Sequence, residues 1–119
     1  MKLLIIDDEK NILWGLNNLL TKFGYACTTQ DDALKAIEFF DKDQYDVVIT
    51  DLKMPNKDGF QILRDIHKKN YNTKLILMTG YHNYDYEKTA QELGVYAYLH
   101  KPLNLEKLLQ ILQSIKDQR

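Results

Sequence analysis

The sequence predicts an α/β protein, a three-layer sandwich in which a five-stranded parallel sheet carries helices on both faces. Short strand-like runs recur at positions 3–6, 25–29, 47–50, 75–78 and 96–100. Each run is followed by a longer segment whose apolar residues recur every three or four positions, which is the spacing of an amphipathic helix. Strands that alternate with helices join by right-handed crossovers, so this order favours a parallel sheet.

The composition is that of one folded domain. The chain has 119 residues, 45% of them hydrophobic and 28% charged, and we expect residues 1–119 to form a single domain. A formal net charge of -1 offers no basic surface for nucleic acid or an anionic membrane. The single cysteine excludes an internal disulfide framework, and no apolar run approaches the ~20 residues that cross a bilayer. The first residues do not resemble a signal peptide, so we expect a cytoplasmic protein.

The predicted strands differ in polarity. The runs at 3–6, 47–50 and 75–78 are almost wholly apolar, which is typical of parallel strands buried on both faces. The run at 25–29 is more polar, so we expect it at an edge of the sheet. The run at 96–100 alternates as a short strand.

Each of the five predicted helices presents an apolar stripe. Trp14 projects away from the stripe of the first helix, and a single exposed aromatic residue is normal. Asp31 or Asp32 can cap the second helix. The fourth helix has so few apolar residues that we expect it to be the most loosely held. The residues predicted to face inward are, helix by helix, Ile12, Leu16, Leu19, Leu20 and Phe23; Ala33, Ala36, Ile37 and Phe40; Phe60, Leu63, Ile66 and His67; Ala90 and Leu93; and Leu105, Leu108, Leu109, Leu112 and Ile115.

Polar side chains stand where four of the predicted strands end. They are Asp7 and Asp8 after the first strand, Asp51 after the third, Thr79 after the fourth and Lys101 after the fifth. Because the carboxyl ends of parallel strands lie at one edge of the sheet, these side chains can meet in one shallow pocket. Three carboxylates that close repel one another, and Lys101 offsets one charge. A hard divalent cation such as Mg²⁺ would offset two more.

This group of residues suggests phosphoryl transfer. A carboxylate can attack phosphorus and form an acyl phosphate without a general base. With Mg²⁺ held by Asp8 and Asp51, the metal, the Lys101 ammonium and the Thr79 hydroxyl could each take one phosphoryl oxygen. The alternative is that these five residues are ordinary loop residues of an α/β domain.

Four motifs carry a resemblance to a known family. They are IIDDE at 5–9, VVITDLKMPNKDG at 47–59, LILMTG at 75–80 and YLHKPL at 98–103. In this order and spacing they resemble the response-regulator receiver domain of two-component signalling, along essentially the whole chain. The resemblance implies a flavodoxin-like fold with strand order 2-1-3-4-5.

The resemblance also implies a role for each matching residue of the metal and acceptor site. Asp51 matches the phosphorylated aspartate, and Asp7 and Asp8 match the acidic pair that binds Mg²⁺, Asp8 directly and Asp7 through water. The main-chain carbonyl of Lys53 would be a further metal ligand. Lys53 and Tyr81 stand at variable positions that tune the phosphate lifetime in the family.

The remaining matches concern signalling. Lys101 matches the lysine of the family motif, and Pro102 matches a proline that follows a cis peptide bond. Thr79 and Tyr98 match the switch residues, whereas Ala97 stands where many relatives carry an acid. Phosphorylation is expected to draw Thr79 toward the phosphoryl group, let Tyr98 turn inward and alter the surface formed by the fourth helix, the last strand and the last helix.

The implied partners follow from these roles. The phosphodonor would be a sensor histidine kinase, a phosphotransfer protein or a small-molecule phosphodonor, and the altered surface would contact an output domain or a downstream protein. Dimerisation through the fourth helix is left open. We expect a receiver that catalyses only its own phosphorylation and dephosphorylation, not an enzyme with a separate substrate. Two alternatives remain, namely a phosphatase or phosphotransferase, which would want an acid at the position of Lys53, and a non-catalytic flavodoxin-like binding module.

Overall fold

A computed structural model describes residues 1–52, 58–70, 72–80 and 84–118 of the chain. Within these ranges strands and helices alternate in the predicted order. The elements are β1 Lys2–Ile6, α1 Lys10–Lys22, β2 Ala26–Gln30, α2 Ala33–Lys42, β3 Val47–Asp51, α3 Gly59–Lys69, β4 Lys74–Thr79, α4 Tyr84–Glu92, β5 Ala97–His100 and α5 Leu105–Asp117.

The strands form one parallel sheet in the order β2-β1-β3-β4-β5. This is the predicted α/β fold with the predicted strand order. The more polar strand β2 lies at an edge, as predicted, and all five residues of the central strand β3 are buried. The run of Val and Ile in β3 explains this position, because a central parallel strand is covered on both faces.

Helices cover the two faces of the sheet unequally, and each face has its own core. Alternate residues of β1 point to opposite faces, so Leu4 joins the buried cluster under α2, α3 and α4, whereas Leu3 joins the cluster under α1 and α5. In the part of the chain that the structure describes, every helix is too short or too polar to pass through a bilayer.

Two residues predicted to face inward are exposed. Phe23 is 59% exposed and Leu105 is 44% exposed. Phe23 is the C-cap of α1, where the chain leaves the helix toward Gly24 with its positive φ of 90°, and Leu105 begins α5 before that helix reaches the sheet. The helical spacing of apolar residues therefore continues beyond the inward-facing stripe, at the last turn of α1 and the first turn of α5. Leu13, which was not assigned to the stripe, is buried instead.

The cap of α2 is Asp32. Its carboxylate accepts hydrogen bonds from the main-chain N–H groups of Leu34 and Lys35, at 2.8 and 3.2 Å. The neighbouring Asp31 is exposed and lies 3.7 Å from the ammonium of Lys10. Of the two predicted caps, only the residue directly before the first turn reaches the orphan N–H groups.

The fourth helix has the fewest buried residues of the described helices. Ala90 is the one residue within α4 that is buried, whereas α3 buries five residues over a similar length. Tyr84 is 79% exposed. The thin apolar stripe predicted for this helix is confirmed, and it leaves α4 with little hydrophobic burial to hold it against the sheet.

We predict that α4 is the least protected of the described helices. Amides in α4 should exchange with deuterium at least about tenfold faster than those in the interior of α3, because local opening exposes less apolar surface. Hydrogen exchange followed by mass spectrometry measures this difference, with α3 as the internal reference. Equal protection of the two helices would contradict the prediction.

Candidate functional site

The carboxyl ends of four strands bring the candidate residues to one edge of the sheet. Thr50 of β3 pairs with Ile6, the last residue of β1, and Asp51 pairs with Met78 of β4. Thr79 pairs with His100, the last residue of β5. The residues that end or follow these strands are therefore neighbours at the same edge, although they lie far apart in the chain.

Three carboxylates form a close cluster at this edge. One oxygen of each of Asp7, Asp8 and Asp51 lies within 4.8 Å of the others. Asp7 is fully buried and Asp51 is 7% exposed, whereas Asp8 is exposed to solvent. The cluster thus has two buried acids and one at its mouth, so a cation that enters from solvent meets Asp8.

The Lys101 side chain reaches into the cluster from the end of β5. Its Nζ donates to Asp7 Oδ2 at 2.8 Å and to Asp51 Oδ2 at 3.2 Å. Its main-chain N–H donates to the carbonyl of Thr79 at 2.7 Å, which holds the residue against β4. The Lys101–Pro102 bond is cis, as the resemblance implied. One ammonium therefore bridges acids that come from β1 and β3.

A fourth acid, Glu9, approaches the same ammonium. Glu9 Oε1 lies 3.6 Å from Lys101 Nζ, and the Glu9 N–H donates to Asp7 Oδ1 at 2.8 Å. The sequence had shown Glu9 only as the third acid after the first strand. Its position two residues after Asp7 was the available signal, since a turn that directs Asp7 inward also brings the N–H of residue 9 onto that carboxylate.

Burial raises the pKa of both buried acids. For Asp51, desolvation raises the pKa, the hydrogen bond and positive charge of Lys101 lower it, and the charge of Asp8 raises it further, with a net increase. For Asp7, desolvation likewise outweighs the hydrogen bonds from Lys101 and from the Glu9 N–H. The ionised forms of these acids therefore cost free energy in the folded protein.

The Lys101 ammonium is stabilised in its charged form. Burial alone would lower its pKa, but the hydrogen bond to Asp7 and the charges of Asp7 and Asp51 together raise it above the ordinary lysine value. Lys101 thus remains positively charged at neutral pH. It cannot neutralise the whole cluster, because three carboxylates outnumber one ammonium.

The donor atoms of the cluster suit a hard divalent cation. Mg²⁺ prefers oxygen ligands and binds through few carboxylates while it retains several waters. Asp7, Asp8 and Asp51 offer one carboxylate oxygen each at close range, and two positive charges would offset the excess negative charge. The residues present therefore fit Mg²⁺.

Thr79 and Tyr98 lie on β4 and β5, the two strands on one side of β3. Thr79 is fully buried at the end of β4, and Tyr98 of β5 is half-buried opposite Leu77 of β4. Because Thr79 pairs with His100, the two candidate switch residues are offset by two positions along adjacent strands, which places their side chains on the same face of the sheet.

Tyr98 faces the fourth helix. It packs against the core cluster that contains Ala90 of α4, and its ring meets that of His100 edge to face, with 5.3 Å between the ring centroids. Burial raises the pKa of the Tyr98 hydroxyl, and the charges of Glu87 and Tyr86 raise it further. Both neighbours belong to α4, so the Tyr98 side chain is coupled to that helix.

Some predicted positions lie outside the described residues. Lys53, whose carbonyl was predicted to bind the metal, is one of them, and Tyr81 is another. Ala97, the departure noted beside Tyr98, begins β5 and is partly exposed.

Comparison with known proteins identifies the family to which this chain is similar. The family model described as the response regulator receiver domain matches residues 3–113. Sporulation initiation phosphotransferase F of Bacillus subtilis (strain 168) is 32% identical over 107 residues, which are 90% of this chain and 86% of that protein. The DNA-binding transcriptional regulator NtrC of Escherichia coli (strain K12) is 28% identical over 109 residues, and the match covers 92% of this chain but only 23% of that regulator.

Solved structures of similar chains share the fold over nearly their whole length. A response regulator receiver domain protein from Clostridium thermocellum superposes with a TM-score of 0.92 at 33% identity and covers 98% of this chain and 94% of its own. Chemotaxis protein CheY4 of Vibrio cholerae superposes with a TM-score of 0.89 at 28% identity, with 96% and 97% covered.

We predict that Asp51→Asn stabilises the protein when divalent cations are absent. The substitution removes one buried negative charge while Lys101 stays paired with Asp7, so the free energy of unfolding at neutral pH should rise by about 1–3 kcal/mol. The gain should shrink as the pH is lowered toward about 4, because the wild-type carboxyl with its raised pKa is then protonated in the folded state as well. Urea unfolding in the presence of a chelator measures both effects.

The matched control is Glu38→Gln, which removes an exposed acid of α2. Its free energy of unfolding should change by less than about 0.5 kcal/mol. A loss of stability in Asp51→Asn, or an equal gain in both variants, would show that the acidic cluster does not cost folding free energy.

Proposed function

The chain belongs to the response regulator receiver domain family, and on that premise we propose that it accepts a phosphoryl group on Asp51 and passes the signal on through a change in its surface. The observation that carries this proposal is the environment of Asp51. Its carboxylate ends the central strand, lies 3.2 Å from the Lys101 ammonium and shares a close cluster with Asp7 and Asp8. An acid in this position has a cation beside it and an opening toward solvent through Asp8.

The chemical step needs few groups. A carboxylate oxygen of Asp51 attacks the phosphorus of the donor and forms a new O–P bond. The bond from phosphorus to the leaving group breaks, and the leaving group departs with the electron pair of that bond. No base is required, because the attacking oxygen carries no proton. With acetyl phosphate as donor the leaving group is acetate.

The protein's main contribution is charge and position. The Lys101 ammonium donates to a phosphoryl oxygen, and the Thr79 hydroxyl at the end of β4 donates to another. Asp7, Asp8 and Asp51 would hold Mg²⁺, with the main-chain carbonyl of Lys53 as the further ligand that the family resemblance implies. The bound ion would supply more positive charge for the phosphoryl oxygens. Hydrolysis of the acyl phosphate by water returns Asp51 to its carboxylate, so the receiver resets itself and acts on no separate substrate.

The signal depends on Thr79, Tyr98 and α4. Phosphorylation adds negative charge and three acceptor oxygens at Asp51. When Thr79 moves to bond one of them, space opens on the face of the sheet that Tyr98 shares, and the ring turns inward. Because Tyr98 packs against the core cluster that contains Ala90 of the weakly packed α4, its rotation alters the surface of α4, β5 and α5. The phosphoryl group thus shifts the population of two surface states.

The relatives suggest two contexts for this switch. One is named a phosphotransferase and the other a DNA-binding transcriptional regulator, of which the match covers 23%. We propose a sensor histidine kinase or a phosphotransfer protein as donor, in the cytoplasm, and an output domain or downstream protein as the partner of the α4, β5 and α5 surface. Dimerisation on phosphorylation would use the same surface.

We predict that Asp51→Asn abolishes Mg²⁺-dependent phosphorylation. Incubation of the wild-type protein with acetyl phosphate and Mg²⁺ should give one labile adduct on Asp51. Asp51→Asn should give none, because an amide is not a nucleophile toward phosphorus. Intact-protein and peptide mass spectrometry detect the adduct and place it. Glu38→Gln is the control and should be labelled as the wild type is.

Three other outcomes would contradict the proposal. Label retained by Asp51→Asn at another residue would refute the assignment. Turnover of many donor molecules with no adduct would indicate a phosphatase, and an absence of both adduct and turnover in the wild-type protein would indicate a binding module.

We predict that Thr79→Ala separates phosphorylation from signalling. The variant should still form the Asp51 adduct. The change in hydrogen exchange of α4 on phosphorylation should be at least about fivefold smaller than in the wild type, because the variant lacks the hydroxyl that moves toward the phosphoryl group. Hydrogen exchange with and without acetyl phosphate measures this change. A full response of α4 in the variant would rule out Thr79 as the link.

A further inference from the structure

The first residue of α3 lies directly against the main chain of Asp51. A Cβ atom added to Gly59 would lie 2.4 Å from the Asp51 carbonyl oxygen, 2.9 Å from Leu52 Cα and 3.1 Å from the Asp51 carbonyl carbon. Real Cβ atoms essentially never come within 3.0 Å of another heavy atom. All three neighbours are main-chain atoms, so no side chain can rotate away to make room.

Both sides of this contact are held in place. On the strand side, the Leu52 N–H donates to the Met78 carbonyl at 3.0 Å, and β3 is paired with β1 and β4. On the helix side, the Gly59 N–H donates to the Leu52 carbonyl at 2.6 Å, and the fully buried Ile62 and Leu63 fix α3 on the sheet. A side chain at position 59 must therefore displace either the end of β3 or the first turn of α3.

We propose that Gly59 is a positioning residue for phosphoryl transfer to Asp51. The absence of a side chain lets α3 pack on the Asp51 main chain, and this contact determines where the Asp51 carboxylate stands relative to Lys101. The inference rests on the proposed function and deepens it, because it assigns a role to a residue that contacts neither the metal nor the phosphoryl group.

A second contact restrains the same carbonyl group. The hydroxyl of Thr50, which is fully buried, donates to the Asp51 carbonyl oxygen at 3.1 Å. The carbonyl thus has the Thr50 hydroxyl on the strand side and the main chain of Gly59 on the helix side. Movement of this carbonyl also moves the Asp51 Cα atom, to which the side chain with the carboxylate is attached.

The size of the displacement predicts the size of the effect. The separation of 2.4 Å must open by about 0.6 Å before it reaches the closest approach that real Cβ atoms make. The Asp51 carboxylate is 3.2 Å from Lys101 Nζ, which is already longer than a typical charge-assisted hydrogen bond. Misplacement of a reacting group by 1 Å can cost about 10²-fold in rate, so we expect a loss of roughly tenfold to a hundredfold.

The test compares three variants, two at glycines and one in the core. Gly59→Ala should lower the rate of Mg²⁺-dependent phosphorylation at saturating acetyl phosphate by roughly tenfold to a hundredfold, while the donor concentration for half-maximal rate changes less than about threefold. Gly15→Ala is the matched control, because a Cβ on this residue of α1 would meet nothing within 4 Å. Ile66→Val, at the far end of α3, is the control for lost stability and should lower the melting temperature without slowing phosphorylation.

A second pair of variants tests the same carbonyl without a steric clash, should Gly59→Ala fail to fold. Thr50→Val removes the hydroxyl with little change of shape and should slow phosphorylation about threefold or more, whereas Thr50→Ser keeps the hydroxyl and should retain the wild-type rate. A purely structural role of Thr50 would not produce this difference.

The inference is overturned if folded Gly59→Ala is phosphorylated within twofold of the wild-type rate, or no more slowly than Ile66→Val. If Gly59→Ala does not fold, equal rates for Thr50→Val and Thr50→Ser overturn it. These results leave the proposed function intact as long as the wild-type protein is labelled on Asp51. A wild-type protein without label would refute the proposed function itself.

Discussion

The candidate site depends on the ion pairs that the half-buried ammonium of Lys101 makes with two acids. The ammonium donates to Asp7 at 2.8 Å and to Asp51 at 3.2 Å, and so joins the ends of β1, β3 and β5. Charges taken out of water are costly unless they are paired, and each of these groups relies on the others for that pairing. The strand ends must therefore stay in register, and the sheet order that places β1 and β3 side by side is a condition for the site.

The cluster works against the stability of the fold that holds it. Burial raises the pKa of both Asp7 and Asp51, which means that their ionised forms are disfavoured in the folded protein. Burial of the apolar strands offsets this cost in folding free energy, since every residue of β3 and most residues of β1 and β4 are buried. A rigid sheet can thus hold mutually repelling acids close together, where a cation can bind to them and a phosphoryl group can be accepted.

The elements around the site differ in how firmly they are held, and this difference suits a switch. Gly59 ties α3 to the main chain of Asp51, whereas α4 buries only Ala90 among its residues. Tyr98 packs against the core cluster that contains Ala90 of α4. A change at Asp51 therefore acts on two helices that differ in packing, the firmly packed α3 and the weakly packed α4. A helix that buries little apolar surface can move in response to a small change in free energy.

Much of this protein was determined by the sequence alone. Apolar runs of strand length, each followed by helical periodicity, predicted all ten elements. The polar residues after the runs also predicted that Asp7, Asp8, Asp51 and Lys101 lie close together, because parallel strands end at a common edge. Periodicity failed at Phe23 and Leu105, since a residue at a helix end need not face the sheet although its spacing continues the stripe. Only the tertiary structure decided the distances within the site, the approach of Glu9 to Lys101 and the contact of Gly59 with Asp51. These depend on how closely separate elements pack, and packing distance is a property of the assembled core, which no local pattern of residues encodes.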